Sequence, residues 1–356
     1  MKIKTTPNKS TYSRRDFLRL ASLGLFSLAF RPYQSNSDFF DSGDSVDMVR
    51  VAIKQISVYS EPSEKSRILF QHYRDDLLNV YYETVSEDGP QWNPLWYRVW
   101  GGWVHRAHTQ WVRMELNMPL STVKESGQPM VVSVPFTQTF WYSQQLGWQP
   151  NWRVYYGSNH WVVGVETGPD GEAWYKIDND IVNNVAIYAP AIHLRPISSE
   201  ELCPISPDVP LEDKRIEVSI VDQEITAYEK DNIVMQTRVS SGLLHPTPSD
   251  VIPMATPKGT FNITSKMSAK HMGEGILTTD MEAYVLPGVP WTMFFETSTG
   301  VAFHGTYWHT NYGIPMSRGC VNMTYDESQW LYRWTDPKVD LNKWHTVGYG
   351  TQVIVY

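Results

Sequence analysis

Short segments in which apolar and polar residues alternate, separated by turn-forming residues, recur along most of this chain. Alternation with a period of two is typical of β-strands, whereas an amphipathic helix repeats its apolar residues every three or four positions. A helical period is convincing only at 325–334, where Thr324 or Asp326 could cap the helix N-terminus. The sequence therefore predicts a mainly β protein with one or two short helices.

Length, charge and cysteine content limit the domain number, the type of partner and the disulfide content that this chain can have. The chain has 356 residues, more than one hydrophobic core usually serves, so we expect several domains. Its formal net charge of -8 argues against a nucleic-acid partner, because such proteins usually present a basic surface. Only two cysteines occur, Cys203 and Cys320, so there is no disulfide framework. A single bridge between the two stays open as a structural alternative.

The N-terminus resembles an export signal. Arg14 and Arg15 precede an apolar run at 20–30, as in twin-arginine signals. The run is shorter than the roughly 20 residues that span a bilayer, and no clear cleavage site follows it. We expect residues 1–36 to be an export signal and spacer, which if uncleaved could tether the protein to the membrane. The alternative is an ordinary basic N-terminus with a short buried helix. An exported chain would lie in the bacterial cell envelope.

Two β-rich stretches follow, at 48–114 and 130–197. Through its segments 58–63, 96–99 and 102–104, the first resembles a bacterial SH3-like domain. The second repeats the Trp-Tyr-basic strand of the first at 174–176, which favours a diverged internal duplication. The resemblance implies that such modules bind wall peptides, although small aromatic-rich barrels can also serve only as spacers.

The rest of the chain contains a linker and a third region. Residues 198–213 contain three prolines among serines and acids, a composition typical of an interdomain linker. Beyond it, 216–221 and 224–228 alternate as the two strands of a hairpin. We expect residues 214–356 to form a mostly antiparallel β domain.

Four short motifs occur in order within this third region: VSSG at 239–242, TPKGTF at 256–261, FHG at 303–305 and SRGCVN at 317–322. Together they resemble the L,D-transpeptidase catalytic domain, also called the YkuD type, and the last two, with their spacing, are the most specific. The resemblance implies a β-rich enzyme domain that acts on peptidoglycan stem peptides through a cysteine and needs no metal or cofactor.

The residues around the cysteine also support acyl transfer on chemical grounds. Such a reaction needs a nucleophile, a base within reach of its proton, and donors aimed at the developing oxyanion. Cys320 is the candidate nucleophile, and we expect a nearby imidazolium to lower the pKa of its thiol. His304 is the candidate general base and acid. Gly319 allows a sharp turn, so the amides of Gly319 and Cys320 are candidates for the oxyanion hole.

The chain departs from the family pattern at two positions. Arg318 stands where a histidine usually precedes the Gly-Cys pair, and Gly305 follows His304 where some members have serine. A backbone carbonyl would then have to orient the His304 imidazole. Arg318 could add positive potential near the thiolate or hold a substrate carboxylate. The substrate-binding candidates are Tyr307, Trp308, His309, Ser317, Arg318 and Asn322.

The resemblance implies one reaction and leaves several acceptors open. Cys320 would cleave a tetrapeptide stem after its third residue, release the terminal D-alanine and pass the acyl group to an amine, forming a 3-3 crosslink. Transfer to water or to a protein would make the same site a carboxypeptidase or an anchoring enzyme. A non-catalytic wall-binding protein is the other class. A zinc site at His304, His309 and Cys320 has no supporting spacing. The oligomeric state is open.

Overall fold

The computed structural model describes residues 47–178, 185–244, 254–274, 284–340 and 342–356. Strands dominate these ranges, which confirms the prediction of a mainly β protein. The predicted export signal, residues 1–36, lies outside the described residues. Within the described ranges, no helix has both the length and the apolar character needed to cross a membrane.

The N-terminal region, residues 47–112, contains eight strands. They form a five-stranded sheet in the order β3-β2-β7-β6-β5 and a three-stranded sheet in the order β4-β1-β8. Both sheets contribute to one buried apolar cluster that includes Val49, Val58 and Tyr97. The SH3-like assignment of this region stays a prediction. The strands are β1 (Met48–Val51), β2 (Gln55–Tyr59), β3 (Ile68–Tyr73), β4 (Leu77–Asn79), β5 (Tyr82–Val85), β6 (Leu95–Val99), β7 (Gly102–His105) and β8 (Thr109–Val112).

The central region, residues 128–196, forms one seven-stranded sheet in the order β11-β10-β14-β13-β12-β9-β15. Its buried face includes Val162, Tyr175 and Ile187. The long β10–β11 hairpin was not expected from the sequence, and the second SH3-like assignment also stays a prediction. The strands are β9 (Gln128–Val132), β10 (Phe136–Ser143), β11 (Gly147–Tyr155), β12 (Asn159–Thr167), β13 (Ala173–Ile177), β14 (Ile187–Pro190) and β15 (Leu194–Pro196).

The C-terminal region, residues 214–356, contains two five-stranded sheets and helix α1 (Tyr325–Trp334). The sheet orders are β18-β17-β16-β25-β19 and β23-β22-β21-β20-β24. The expected hairpin is present as β16 and β17, in which Ser219 pairs with Glu224. The strands are β16 (Lys214–Ser219), β17 (Glu224–Glu229), β18 (Asn232–Arg238), β19 (Gly259–Asn262), β20 (Ser265–Glu274), β21 (Tyr284–Glu296), β22 (Val301–Gly305), β23 (Val321–Met323), β24 (His345–Val347) and β25 (Gln352–Val355).

Helix α1 begins where the sequence predicted. The Thr324 hydroxyl accepts a hydrogen bond from the Glu327 amide, which satisfies one of the free N–H groups of the first turn. At the other end, the buried ammonium of Lys266 donates to the carbonyls of Tyr332 and Thr335. Burial lowers the pKa of Lys266 to about 7. Both ends of the helix are therefore held by side chains.

The predicted linker packs against the C-terminal region. It contains two 3-10 turns, Glu200–Leu202 and Leu211–Asp213. Leu202 is buried in the same apolar cluster as the C-terminal strands, and the Gln329 side chain on α1 donates to the Glu201 carbonyl at 3.1 Å. The segment is therefore anchored along part of its length, and the domain boundaries at 198 and 213 stay predictions.

A buried arginine joins the three regions, which belong to one compact unit spanning Val46–Tyr356. Arg50 on β1 is 1% exposed. Its guanidinium donates to Asp75 at 3.0 Å, to Gln110 at 2.8 Å and to the Tyr307 carbonyl at 3.0 Å. It also lies 4.2 Å from the centre of the Tyr155 ring. The N-terminal region is thus fixed to the chain segment that follows β22, next to the predicted catalytic histidine.

Candidate active site

Two parallel strands bring the predicted catalytic residues to one face of a sheet. His304 on β22 pairs with Asn322 on β23, and Cys320 immediately precedes β23. Side chains alternate across a strand, so Cys320 and Asn322 share a face, and paired residues of parallel strands point the same way. The opposite face packs Phe303 and Val321 into the core. Cys320, at the end of the turn before β23, is therefore expected on the same side of the sheet as His304 on β22, and its thiol donates to the Gly300 carbonyl at 3.8 Å.

The His304 ring is held by the backbone. Its Nδ1 donates to the Gly305 carbonyl at 3.0 Å, as expected for a chain without a serine at position 305. With the proton on Nδ1, the neutral ring keeps Nε2 as an unprotonated base. Trp308 packs against this ring at a centroid distance of 5.8 Å. The geometry therefore provides His304 with one defined tautomer.

Gly305 is required by the packing of α1 against β22. A Cβ atom at this position would lie 2.6 Å from Ser328 Oγ and 3.0 Å from Pro290 Cγ. The Ser328 hydroxyl is itself buried and donates to the Tyr325 carbonyl. The serine found here in some family members therefore has no space in this chain, and the carbonyl of residue 305 orients the histidine instead.

The turn before Cys320 is built around Gly319 and Ser317. Gly319 has φ +115°, a conformation that side-chain-bearing residues rarely adopt. The Ser317 hydroxyl donates to the Cys320 carbonyl at 2.5 Å and accepts from the Gly319 amide at 3.2 Å. In this state the Gly319 amide, a predicted oxyanion donor, is bonded to Ser317. Ser317 therefore braces the turn from within.

Thr256 connects the other motifs to this turn. Its hydroxyl accepts from the Gly242 amide at 2.8 Å and donates to the Gly319 carbonyl at 2.7 Å. Ser240 forms two backbone hydrogen bonds with Asn322, at 3.0 and 2.8 Å. All four sequence motifs thus converge on the cysteine turn. Thr256 was not predicted to have a role at the site, although its place in the 256–261 motif could have indicated one.

His309 is engaged on both ring nitrogens. Its Nδ1 accepts from the Asn311 amide at 3.2 Å, and its Nε2 lies 2.9 Å from the Asn322 carboxamide. Since Nδ1 accepts, the neutral ring carries its proton on Nε2 and needs an acceptor there. We therefore assign the Asn322 amide with Oδ1 facing His309, which pairs an oxygen that would otherwise be buried without a partner. His309 braces Asn322 and has no nitrogen left to take a proton or bind a metal ion.

The remaining predicted binding residues differ in accessibility. Arg318 is exposed at the edge of the turn, and Trp308 is half-buried beside His304. Tyr307 is buried, its ring stacks on Tyr155 at 5.6 Å, and its hydroxyl donates to the Pro287 carbonyl. Tyr307 therefore contributes to packing between regions, away from open solvent. Both cysteines, Cys203 and Cys320, are free thiols in this structure.

Burial sets the protonation state of the site. It raises the pKa of the Cys320 thiol to about 11 and lowers that of His304 to about 4. Burial, with the neighbouring His304 and His108, also lowers the pKa of His309 to about 3. The expected lowering of the thiol pKa by an imidazolium is not found, because burial disfavours both charged forms. Near neutral pH the resting pair is a thiol and a neutral imidazole.

These pKa shifts predict an unusual pH profile. If His304 takes the thiol proton during attack, the rate of Cys320 acylation should stay nearly constant from about pH 5 to 8. It should fall only near pH 4, whereas an unperturbed histidine would lose its base form near pH 6.5. The measurement is the second-order rate constant for covalent adduct formation, followed by intact-protein mass spectrometry across this range.

The same experiment needs a check on folding. The folded-state pKa of each buried histidine lies below its unfolded value of about 6.5, so the unfolded state binds more protons as the pH falls. The free energy of unfolding therefore falls progressively as the pH drops below about 6.5. Acylation rates are compared only at pH values where circular dichroism shows the native fold. An acid limb centred near pH 6.5 in folded protein would contradict the neutral-pair interpretation.

Comparison with solved structures returned several L,D-transpeptidases. The catalytic domain of the E. faecium L,D-transpeptidase is 24% identical, over 41% of this chain and 98% of that one, with a TM-score of 0.30. The Mycobacterium smegmatis L,D-transpeptidase is 16% identical, over 52% and 90%, with a TM-score of 0.32. L,D-transpeptidase 3 from Mycobacterium tuberculosis is 17% identical, over 50% and 76%, with a TM-score of 0.30. Comparison with curated proteins found no match.

The match to a family model is more specific than these structural matches, whose identities and TM-scores are low. The YkuD family, described as the L,D-transpeptidase catalytic domain, matches residues 213–355. The matched range contains β16 to β25, α1 and all four motifs that converge on Cys320. Residues 213–355 therefore form a YkuD L,D-transpeptidase catalytic domain, which makes this chain an enzyme of the L,D-transpeptidase class.

Proposed function

We propose that the protein forms 3-3 crosslinks in peptidoglycan by cysteine acyl transfer. It cleaves a tetrapeptide stem after the third residue, releases the terminal D-alanine and transfers the acyl group to an amine of a neighbouring stem. The observation that carries this proposal is the parallel pairing of β22, which contains His304, with β23, which Cys320 immediately precedes, together with the hydrogen bond that gives His304 its Nδ1–H tautomer.

The first half-reaction follows from that placement. His304 Nε2 takes the proton of the Cys320 thiol as the sulfur attacks the carbonyl carbon of the third stem residue. The tetrahedral intermediate collapses as the imidazolium gives its proton to the departing D-alanine amine. The product is a thioester on Cys320. Because the resting pair is uncharged, proton transfer and attack are coupled, and no stable thiolate is needed beforehand.

The second half-reaction reverses these roles. An acceptor amine loses a proton to His304 and attacks the thioester carbon, and the released Cys320 sulfur recovers the proton from the imidazolium. The oxyanion formed in each step needs hydrogen-bond donors. The amides of Gly319 and Cys320 are the candidates, and the Gly319 amide must then exchange its bond with Ser317 for one with the oxyanion.

The proposed binding roles follow the exposure of the remaining residues. Exposed Arg318 can hold a stem carboxylate by paired hydrogen bonds, and half-buried Trp308 can form a wall beside His304. Asn322 and His309 support the turn from inside. Tyr307 acts indirectly, through the packing of the segment that carries Trp308.

The proposal includes a location and an organisation for the whole chain. Residues 1–36 direct export, so that the enzyme meets its substrate in the cell envelope. Residues 48–114 and 130–197 are SH3-like domains, and 198–213 links them to the catalytic domain. The buried contacts of Arg50 with Gln110 and the Tyr307 carbonyl support a fixed arrangement of these parts.

Product analysis tests the proposal directly. Purified protein is incubated with disaccharide-tetrapeptides, and the muropeptides are resolved by mass spectrometry. We expect crosslinked dimers joined through the third residues of both stems, together with free D-alanine. Tripeptides alone would show that water is the acceptor and would replace the transpeptidase proposal with a carboxypeptidase. Unchanged tetrapeptides would contradict both.

A further inference from the structure

A cavity with two arginines in its lining lies next to Thr310, the residue after His309, between the N-terminal and C-terminal regions. Its volume is about 200 Å³. The N-terminal region contributes Trp92 and Arg106, and the C-terminal region contributes Arg238, Thr310 and Glu327. None of the residues proposed for acyl transfer lines it. Two arginines from different regions therefore line one small space.

Two arginines and one glutamate give the lining of this cavity a net positive charge. Among the described residues, neither Arg106 nor Arg238 has a carboxylate partner. The Arg106 Nε is buried without a hydrogen-bond acceptor. Arg238 donates only to the Trp92 carbonyl, at 3.1 Å. A buried donor of a charged group without an acceptor is costly, which points to an anionic ligand absent from this structure.

The one carboxylate in the lining is already occupied by hydroxyl groups. The Thr237 hydroxyl donates to one oxygen of Glu327, and the Thr324 hydroxyl donates to the other at 2.6 Å. These bonds hold the carboxylate at the first turn of α1, where the helix also favours a negative charge. Glu327 is therefore held at the helix N-terminus and forms no ion pair with Arg106 or Arg238 in the described part of the chain.

We propose that this cavity binds the carboxylate of a small ligand, either a free amino acid or the C-terminal residue of a peptide. A carboxylate accepts paired hydrogen bonds from guanidinium groups, and it would provide the acceptor that Arg106 Nε lacks. A space of about 200 Å³ accommodates an amino-acid-sized group and excludes a folded partner. The inference goes beyond the proposed function and relies on it only for choosing D-alanine compounds as probes.

The lining also contacts the segment next to the active site. The Thr310 carbonyl accepts from the Asn93 side chain at 3.2 Å, and the Thr310 hydroxyl donates to the Arg106 carbonyl at 2.8 Å. The following residue, Asn311, donates its amide to His309. A ligand beside Thr310 therefore lies one residue along the chain from His309, whose side chain braces Asn322.

Binding can be measured without catalysis. The full chain carrying Cys320→Ala is titrated with N-acetyl-D-alanine, and heat and tryptophan fluorescence are recorded, since Trp92 lines the cavity. We expect saturable binding that is lost when N-acetyl-D-alanine methyl ester replaces the acid. Free D-alanine distinguishes the two sources: a stronger signal than with the acetylated compound identifies a free amino acid, and a weaker one identifies a peptide end. Because Cys320 is absent, the outcome is independent of the proposed function.

Single arginine variants locate the binding site. Arg238→Gln removes one guanidinium from an exposed side chain, so it should fold normally and weaken binding about tenfold or more. Arg106→Gln should have a similar effect. Arg67→Gln is the matched control, because Arg67 is exposed in the same N-terminal region and does not line the cavity. No saturable binding, equal binding of the ester, or binding that neither cavity variant weakens would overturn the inference.

Discussion

Replacing Cys320 with alanine is expected to abolish the covalent adduct that a carbapenem forms with the purified protein. A carbapenem acylates a nucleophile that can attack its ring carbonyl, and Cys320 immediately precedes β23, the strand that pairs with β22 and its His304. His304→Gln should retain the nucleophile but lower the acylation rate about 10²- to 10⁴-fold, since it removes the base. Intact-protein mass spectrometry measures both the adduct mass and its rate of formation.

The chain offers a matched control for this experiment. Cys203 is also a free thiol and is exposed, but it lies within the predicted linker and has no histidine partner in the described structure. Cys203→Ala should therefore acylate at the wild-type rate. An adduct that persists in Cys320→Ala, or one lost in Cys203→Ala, would refute the assignment of the nucleophile. A wild-type rate in His304→Gln would refute the assignment of the base.

Replacing Arg50 with alanine is expected to destabilise the protein by about 3–5 kcal/mol, the range typical of breaking a buried ion pair from one side. The Gln110 side chain and the Tyr307 carbonyl would both lose their bonds from the guanidinium. Asp75, whose side chain is 7% exposed, would keep only its bond from Arg153. The free energy of unfolding is measured by urea titration followed by circular dichroism.

A surface arginine provides the comparison. Arg113 is paired with Glu115 at 3.7 Å, and both side chains are at least half exposed. Arg113→Ala should change the free energy of unfolding by no more than about 0.5 kcal/mol. Equal effects of the two substitutions would show that Arg50 does not hold the regions together. We also expect Arg50→Ala to slow acylation of Cys320, because the segment after β22 loses an anchor at Tyr307.

Several elements could be predicted because their signals are local. The strand alternation at 216–221 and 224–228 predicted the β16–β17 hairpin, and Thr324, one of the two predicted N-cap candidates with Asp326, caps α1. The β10–β11 hairpin was missed. Its strands contain many aromatic and polar residues that remain partly exposed, so the apolar alternation is weak. A sequence pattern reveals a strand clearly only where buried and exposed residues alternate along that strand.

Some roles of the site residues could likewise be predicted from the sequence, and others could not. The pairing of Cys320 with a histidine followed from motif chemistry, and the need for a backbone carbonyl to orient His304 followed from the glycine at 305. The sequence did not show that Ser317 and Thr256 brace the turn, or that Tyr307 is buried against Tyr155. Those contacts join residues distant in the chain, and no local pattern encodes them.

The sequence by itself determined the chemistry of this protein: a thiol, an imidazole and a glycine turn in an order that permits acyl transfer, on a chain patterned for strands. Only the tertiary structure decided that β22 and β23 lie side by side, that both reactive groups are uncharged at rest, and that Arg50 ties the N-terminal region to the segment after His304. The physical reason is that reactivity depends on side-chain type, whereas proximity, burial and pKa depend on which distant segments pack together.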